Sequence, residues 1–219
     1  MAESAVLLGV FCSSAAACGS VIEILPSSAD ATCDEKFENI ANSLLPGDML
    51  IRRGGIYSQG CRRLISGRNG TARQPIVITA APGEFPILTG RGTPQSYRED
   101  NLEIENSSYL AVRSIKFHGG DLGVRFIGAN HHVTFEGNEI YETSANALAL
   151  QGGNSDAMII RRNHIHHTGL YTGGPVTGEG MYLGCHDNSC RITNSLIEGN
   201  YIHHLRSTSG GGNDGIEVK

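Results

Sequence analysis

The chain has no tryptophan, and phenylalanine and tyrosine are scarce, with aromatic residues making up 6% of its 219 positions. That scarcity excludes a large aromatic-lined pocket and a strong sugar-stacking platform. No apolar run reaches the roughly 18 residues a membrane-spanning helix needs. No basic stripe stands out and the formal net charge is −5, so nothing favours nucleic acid. No cysteine pair has the two-residue spacing common in structural zinc sites. Apolar residues do not recur at three- and four-residue spacing along most of the chain, so a helical array is excluded as well.

What is present is a repeat. Val133–Thr143 and Met158–Thr168 align with Asn138 over Asn163, Ile140 over Ile165 and Thr143 over Thr168, 25 residues apart. A third copy, Ser195–Leu205, places Asn200 and Ile202 in the same columns after 37 residues. A fainter copy, Leu110–Gly120, has Ile115 in the asparagine column and Phe117 in the isoleucine column. Each copy alternates inward and outward candidates with period two. A second alternating run follows each first one: Val124–Phe126, Leu148–Leu150, Met181–Leu183 and Ile216–Val218. Turns rich in glycine and asparagine separate the runs, and the chain carries 29 glycines. Short strands in each repeat with no helix between them predict an all-β solenoid whose coils stack in parallel about 4.8 Å apart. Phe117, Ile140, Ile165 and Ile202 then form one buried stripe, and Asn138, Asn163 and Asn200 a ladder at a bend. The 12 extra residues of the longer interval require an excursion, for which Cys185–Cys190 is the candidate.

The phrases Asn163-His164-Ile165-His166-His167-Thr168, Gly178-Glu179-Gly180-Met181-Tyr182-Leu183-Gly184 and Asp214-Gly215-Ile216-Glu217-Val218-Lys219 resemble those of right-handed parallel β-helix proteins. The succession Pro46–Tyr57, Gly70–Ala80 and Pro82–Glu84 is similar to the opening coils of β-helical polysaccharide lyases acting on alginate and chondroitin. The resemblance covers roughly residues 45–219. It implies a right-handed parallel β-helix; the superfamily includes lyases, hydrolases, epimerases and adhesins, so it implies no single activity.

Residues 1–20 read as the remnant of a secretion signal, with Ala5–Phe11 as apolar core and Ala15-Ala16-Ala17-Cys18-Gly19 as a degenerate lipoprotein box. An apolar first strand is the alternative. The signal reading implies a secreted or cell-surface protein, periplasmic or lipid-anchored. Residues 21–219 then form one β-helix domain. Thr32–Leu45 is expected to be an amphipathic helix, with Thr32 and Glu35 at capping-box spacing, covering the open end of the first coil. Six cysteines suggest an oxidising compartment, with Cys185–Cys190 as one disulfide and Cys33–Cys61 as a second. Free buried thiols are the alternative. The chain ends in mid-coil at Lys219, which suggests a fragment of a longer β-helix, or self-association or a partner at that end.

With the isoleucines inward, His118, Tyr141, His166 and His203 form an outward column beside Glu142, His167 and His204. Stacked imidazoles suit acid–base work or a transition metal, or are a mere consequence of the repeat. Glu136, Arg161 and Glu198 form a column of alternating charge. The second strands put Arg125, Ala149, Tyr182 and Glu217 outward with Lys219 beyond, preceded by the turn residues Asn146, Glu179 and Asp214. Carboxylates beside a basic group suit β-elimination on a uronic acid. There a cation, often calcium, neutralises the substrate carboxylate and a side chain removes the C5 proton. The expected roles are Lys219, Tyr182, His166 and His203 in catalysis. Arg125, Arg161, His167 and His204 would bind substrate, and Glu179, Asp214 and Glu217 would ligate calcium. Turn formation is the competing role for Glu179 and Asp214. The expected function is a lyase on acidic polysaccharide; the alternatives are a non-catalytic surface β-helix and a glycoside hydrolase.

Overall fold

The computed structural model describes residues 6–11, 19–26, 35–57, 63–93, 95 and 99–219. The chain winds into coils whose strands stack in three parallel sheets. The first sheet runs Val6–Phe11, Gly19–Ile24, Met49–Arg52, Ile76–Ala80, Leu110–Arg113, Thr134–Glu136, Ile159–Arg161 and Leu196–Glu198. The second runs Gly55–Tyr57, Pro86–Thr89, Lys116–His118, Glu139–Tyr141, His164–His166 and Tyr201–His203. The third runs Arg63–Ser66, Leu102–Glu105, Val124–Ile127, Leu148–Gln151, Met181–Leu183 and Ile216–Val218. Val6–Phe11 pairs antiparallel with Gly19–Ile24; the pairings from Gly19–Ile24 onward are parallel. The apolar run expected as a signal core is thus partly this edge strand.

The period-two pattern sets which side chains enter the core. Phe117, Ile140, Ile165 and Ile202 are register partners on successive coils. The first three are fully buried, and Ile202 packs against the same core from a half-buried position. The asparagine ladder closes at the bend between the first and second sheets. Asn163 Oδ1 accepts the Asn138 amide at 3.0 Å, and Asn200 Oδ1 accepts the Asn163 amide at 3.0 Å. Their Nδ2 groups donate to Val112, Phe135 and Ile160 carbonyls at 2.9–3.0 Å. Ile115, in the asparagine column, donates its own amide to Asn138 Oδ1 and so ends the ladder. A tight bend leaves backbone groups that no strand partner reaches, and the primary amide satisfies one donor and one acceptor at once.

The helix spans Glu35–Ala41, shorter at its C-terminal end than the expected Thr32–Leu45, and Thr32 lies outside the described residues. It stops because Asn42 turns to serve the sheet edge: its Nδ2 donates to the Leu64 carbonyl and its Oδ1 accepts the Ser66 amide, both at 2.8 Å. Asp48 Oδ2 then accepts the Leu45 amide. Phe37, Ala41 and Leu44 are buried in the core, so the segment covers the first strand of the third sheet as a cap. Two arginines lie in the same end of the core. Arg52 sits over the Tyr57 ring at 3.6 Å, and Arg63 donates to Asn101 Oδ1 at 2.8 Å and to the Thr89 carbonyl at 3.1 Å.

The long interval is divided between two excursions. Ile140 to Leu148 takes 8 residues, whereas their register partners Ile165 and Met181 are 16 apart. Leu148 to Ile159 takes 11, and Met181 to Leu196 takes 15. The loop at 169–178 therefore holds eight of the twelve extra residues and the Cys185–Cys190 loop only four, a correction to its assignment as the whole excursion. Cys185 and Cys190 are disulfide-bonded with Cα atoms 4.9 Å apart. Cys33, Cys61, Cys12 and Cys18 lie outside the described residues. The 169–178 loop packs so closely on the next coil that a Cβ at Gly169 would lie 1.9 Å from the Arg206 carbonyl oxygen. Gly178 donates to the Gly212 carbonyl and Thr208 to the Val176 carbonyl, joining this loop to residues 208–212 of the next coil.

Candidate functional site

Two outward faces carry the candidate residues, on either side of the bend between the second and third sheets. On the second sheet the expected column is in register: His118, Tyr141, His166 and His203 occupy successive coils. Their rings stack at 4.7, 5.4 and 5.2 Å between centroids, and the neighbouring His167 and His204 stack at 4.7 Å. Glu142, His167 and His204 follow their strands at φ of 56°, 56° and 54°, a left-handed step that turns the chain out of the sheet. A strand of three residues has two outward positions, and the first of them carries a second column, Lys116, Glu139, His164 and Tyr201. The asparagine–isoleucine repeat points to the His166 column alone; pleat alternation is the signal for the other. Burial holds the His164 and His166 imidazoles below their ordinary pKa, and their mutual repulsion adds to it for His164.

On the third sheet Arg125, Ala149, Tyr182 and Glu217 are register partners on successive coils. Lys219 Nζ pairs with the Glu217 carboxylate and lies 5.5 Å from the Tyr182 ring centroid. The Glu217 hydrogen bond raises the Lys219 pKa, keeping it cationic. Burial raises the Tyr182 phenol above its ordinary value, and Lys219 opposes that rise. Glu179 is buried in the preceding turn, and its Oε2 has no hydrogen-bond partner among the described residues. Burial raises its pKa, with smaller contributions from Glu217 and Asp214. Its amide donates to Asn146 Oδ1 and its carbonyl accepts the Ala147 amide, so its turn-forming role is present.

Arg161 is separated from both faces. It lies on the first sheet, where its guanidinium holds Glu136 at 2.9 and 3.2 Å, with Arg113 and Arg162 around the same carboxylate. The expected column of alternating charge is present, and Arg161, expected to bind substrate, lies on a different sheet from Tyr182 and Lys219. Arg125 shares the third-sheet column and pairs with Asp100 at 3.6 Å. Among the described residues, Glu139, His164 and His166 have ligand atoms that all lie within 4.8 Å of one another. Glu179, Asp214 and Glu217 do not form such a group. Asp214 is exposed and Glu217 is engaged by Lys219, so this trio does not fit a ready calcium cage.

The 169–178 loop borders a cleft of about 850 Å³ at the same bend, lined by Gln95, Asp121, Ala145, Tyr171–Gly173, Pro175–Thr177 and Ser209. No described helix is long and apolar enough to cross a membrane.

Stacked three-sheet coils with a ladder of asparagines define a parallel β-helix. The profile described as "Right handed beta helix region" matches residues 40–218, and the chain belongs to that family. No curated protein matches its sequence. It is similar to the crystal structure of an alginate lyase from Paenibacillus sp. str. FPU-7, with a TM-score of 0.62 and 24% identity over 78% of this chain and 57% of that one. It is also similar to a GH136 lacto-N-biosidase from Eubacterium ramulus, with a TM-score of 0.56 and 14% identity over 76% of this chain and 37% of that one. A mannuronic acid specific polysaccharide family 6 lyase from human gut microbiota gives a TM-score of 0.50 and 19% identity, over 83% of this chain and 42% of that one. The chain spans less than two thirds of the length of each of these proteins, and the likeness is one of fold.

Proposed function

We propose that this chain carries a uronate-directed polysaccharide lyase site on the outer face of its third sheet, in a secreted or cell-surface protein. The observation that carries the proposal is the placement of Lys219 beside Tyr182 on adjacent coils, with Glu217 holding the ammonium. β-Elimination needs a base for the C5 proton, an acid for the leaving O4 and a countercharge for the carboxylate. Tyr182, as phenolate, takes the C5 proton; the electron pair forms the C4=C5 bond as the C4–O4 bond breaks. The phenol then returns that proton to O4. Lys219 stabilises the phenolate and supplies positive charge to the uronate. Arg125, on the same column, extends the positive surface along the chain of sugars. His167 and His204, at the bend, are proposed to contact substrate from the opposite side.

The lyase fold of two of the neighbours supports this reading. No step above depends on calcium, and the chelator arm of the test below decides whether Glu179, Asp214 and Glu217 hold it. The competing hydrolase reading is favoured by one observation: a buried Glu179 biased towards its protonated form near Glu217, the pairing of acid and carboxylate that glycoside hydrolysis uses.

The test is incubation with alginate, pectate and chondroitin, with calcium and with a chelator. The expected result is rising ultraviolet absorbance from unsaturated ends, retained under chelation. Reducing ends without absorbance would replace the lyase by the hydrolase. Absence of both would leave a non-catalytic β-helix.

A further inference from the structure

The second-sheet face holds a group that the lyase chemistry does not use. Glu139 and His164 are cross-strand partners on adjacent coils, and His166 lies two residues along the same strand as His164. His166 Nε2 is 3.1 Å and His164 Nδ1 3.7 Å from Glu139 Oε1. Ligand atoms bound at about 2.0–2.2 Å in a tetrahedral site sit roughly 3.3–3.5 Å apart, so these separations bracket the required span. We infer that Glu139, His164 and His166 form a binding site for a divalent transition metal ion of the zinc class, clamping two successive coils together.

The surroundings support the assignment. Lys116 Nζ occupies Glu139 Oε2 at 2.5 Å, neutralising one oxygen and leaving Oε1 towards the imidazoles. A metal-bound histidine needs its other ring nitrogen held by a partner. His164 Nε2 faces His203 Nε2 at 2.8 Å, and His166 Nδ1 faces His167 Nδ1 at 2.6 Å. With an ion in place of the His166 Nε2–H to Glu139 Oε1 hydrogen bond of 3.1 Å, one tautomer assignment satisfies the contacts between the rings. His164 donates from Nε2 and His166 from Nδ1, which frees His164 Nδ1 and His166 Nε2 for the ion. His203 then accepts at Nε2 and donates from Nδ1 to His204 Nδ1. Two imidazoles and one carboxylate suit zinc, copper or nickel and disfavour calcium, which takes six to eight oxygens. The His164 side chain is half-exposed, so solvent reaches this group. The site lies on a different sheet from Tyr182 and Lys219, so the inference stands or falls apart from the lyase reading.

The experiment is equilibrium dialysis of the metal-stripped chain against zinc chloride, with calcium chloride as a parallel arm, followed by thermal melting with and without zinc. The expected result is one zinc per chain, a melting temperature raised by zinc but not by calcium, and at least tenfold weaker binding in His166→Ala and Glu139→Gln. His131→Ala, on another turn, should bind as the parent does. Copper(II) added in place of zinc should give an electron paramagnetic resonance spectrum with coupling to two imidazole nitrogens, reduced to one in His164→Gln. The three side chains point outward, so the metal-free variants should melt near the parent, which separates lost ligation from lost folding. No bound zinc, or binding unchanged in His166→Ala and Glu139→Gln, would overturn the site.

Discussion

Asn163→Ala removes the middle rung of the bend ladder, and its cost can be worked out bond by bond. The side chain is 1% exposed. Its Oδ1 accepts the Asn138 amide, and its Nδ2 donates to the Phe135 carbonyl and to Asn200 Oδ1. Alanine leaves the buried Asn138 amide without its side-chain partner and removes one bond to the Phe135 carbonyl. At about 1–3 kcal/mol for the stranded donor and about 1 kcal/mol for the lost bond, the loss is about 2–4 kcal/mol, well above the roughly 1 kcal/mol of an average substitution. Asn200→Ala is the internal comparison: it is half-buried, so water can replace part of what it gives to Asn163 and Ile160, and the cost should be clearly smaller. Guanidinium unfolding followed by far-ultraviolet circular dichroism reads both as midpoint shifts at a common slope. An Asn163→Ala loss below about 1 kcal/mol, or one equal to that of Asn200→Ala, would refute the ladder as a stabilising device.

Three further outcomes follow from particular contacts. Glu84 accepts from Arg53 and from the Gly54 amide, and its pKa falls from 4.5 to about 2. A carboxylate with a depressed folded-state pKa adds stability above its unfolded pKa and loses it as pH falls through the folded one. Glu84→Gln should therefore melt below the parent at pH 7, with the gap closing between about pH 4.5 and 2; a gap independent of pH would contradict this. Opening the Cys185–Cys190 loop with a double serine variant should cost about 2 kcal/mol by loop-closure entropy, checked by denaturant unfolding; no change would mean the loop is ordered without its bond. Lyase activity should rise about tenfold per pH unit from pH 7 towards 10, because Tyr182 titrates above its ordinary value and only the phenolate is the base. A plateau above pH 7 would point to imidazole instead.

The stacked columns were legible because identical residues at one spacing have few ways to align. Once Ile140 falls over Ile165, pleating fixes the neighbours, and His166 over His203 or Tyr182 over Glu217 follow without further information. The same logic covers Glu139 and His164, which needed only the other outward position of a three-residue strand. Arg52 and Arg63 were not legible. A buried arginine is made tolerable by partners from distant coils, such as Tyr57 and Asn101, and no local pattern announces them. The division of the extra residues between two loops was hidden for a related reason. An insertion conserves register on both sides, so its length is visible in the sequence while its position is set by where the coil can bulge. Asn42 shortened the helix for the sake of a sheet edge that belongs to Leu64 and Ser66.

The proposed chemistry lies on the third sheet, not on the histidine face, and one comparison decides it. The initial rate of unsaturated-end formation on the best uronate polymer should fall by at least a hundredfold in Tyr182→Phe and in Lys219→Met, within the range of about 10²–10⁴ that proton-transfer groups supply. The double variant His166→Ala, His203→Ala should keep most of the rate. Full activity in Tyr182→Phe together with loss in the histidine variant would contradict the account.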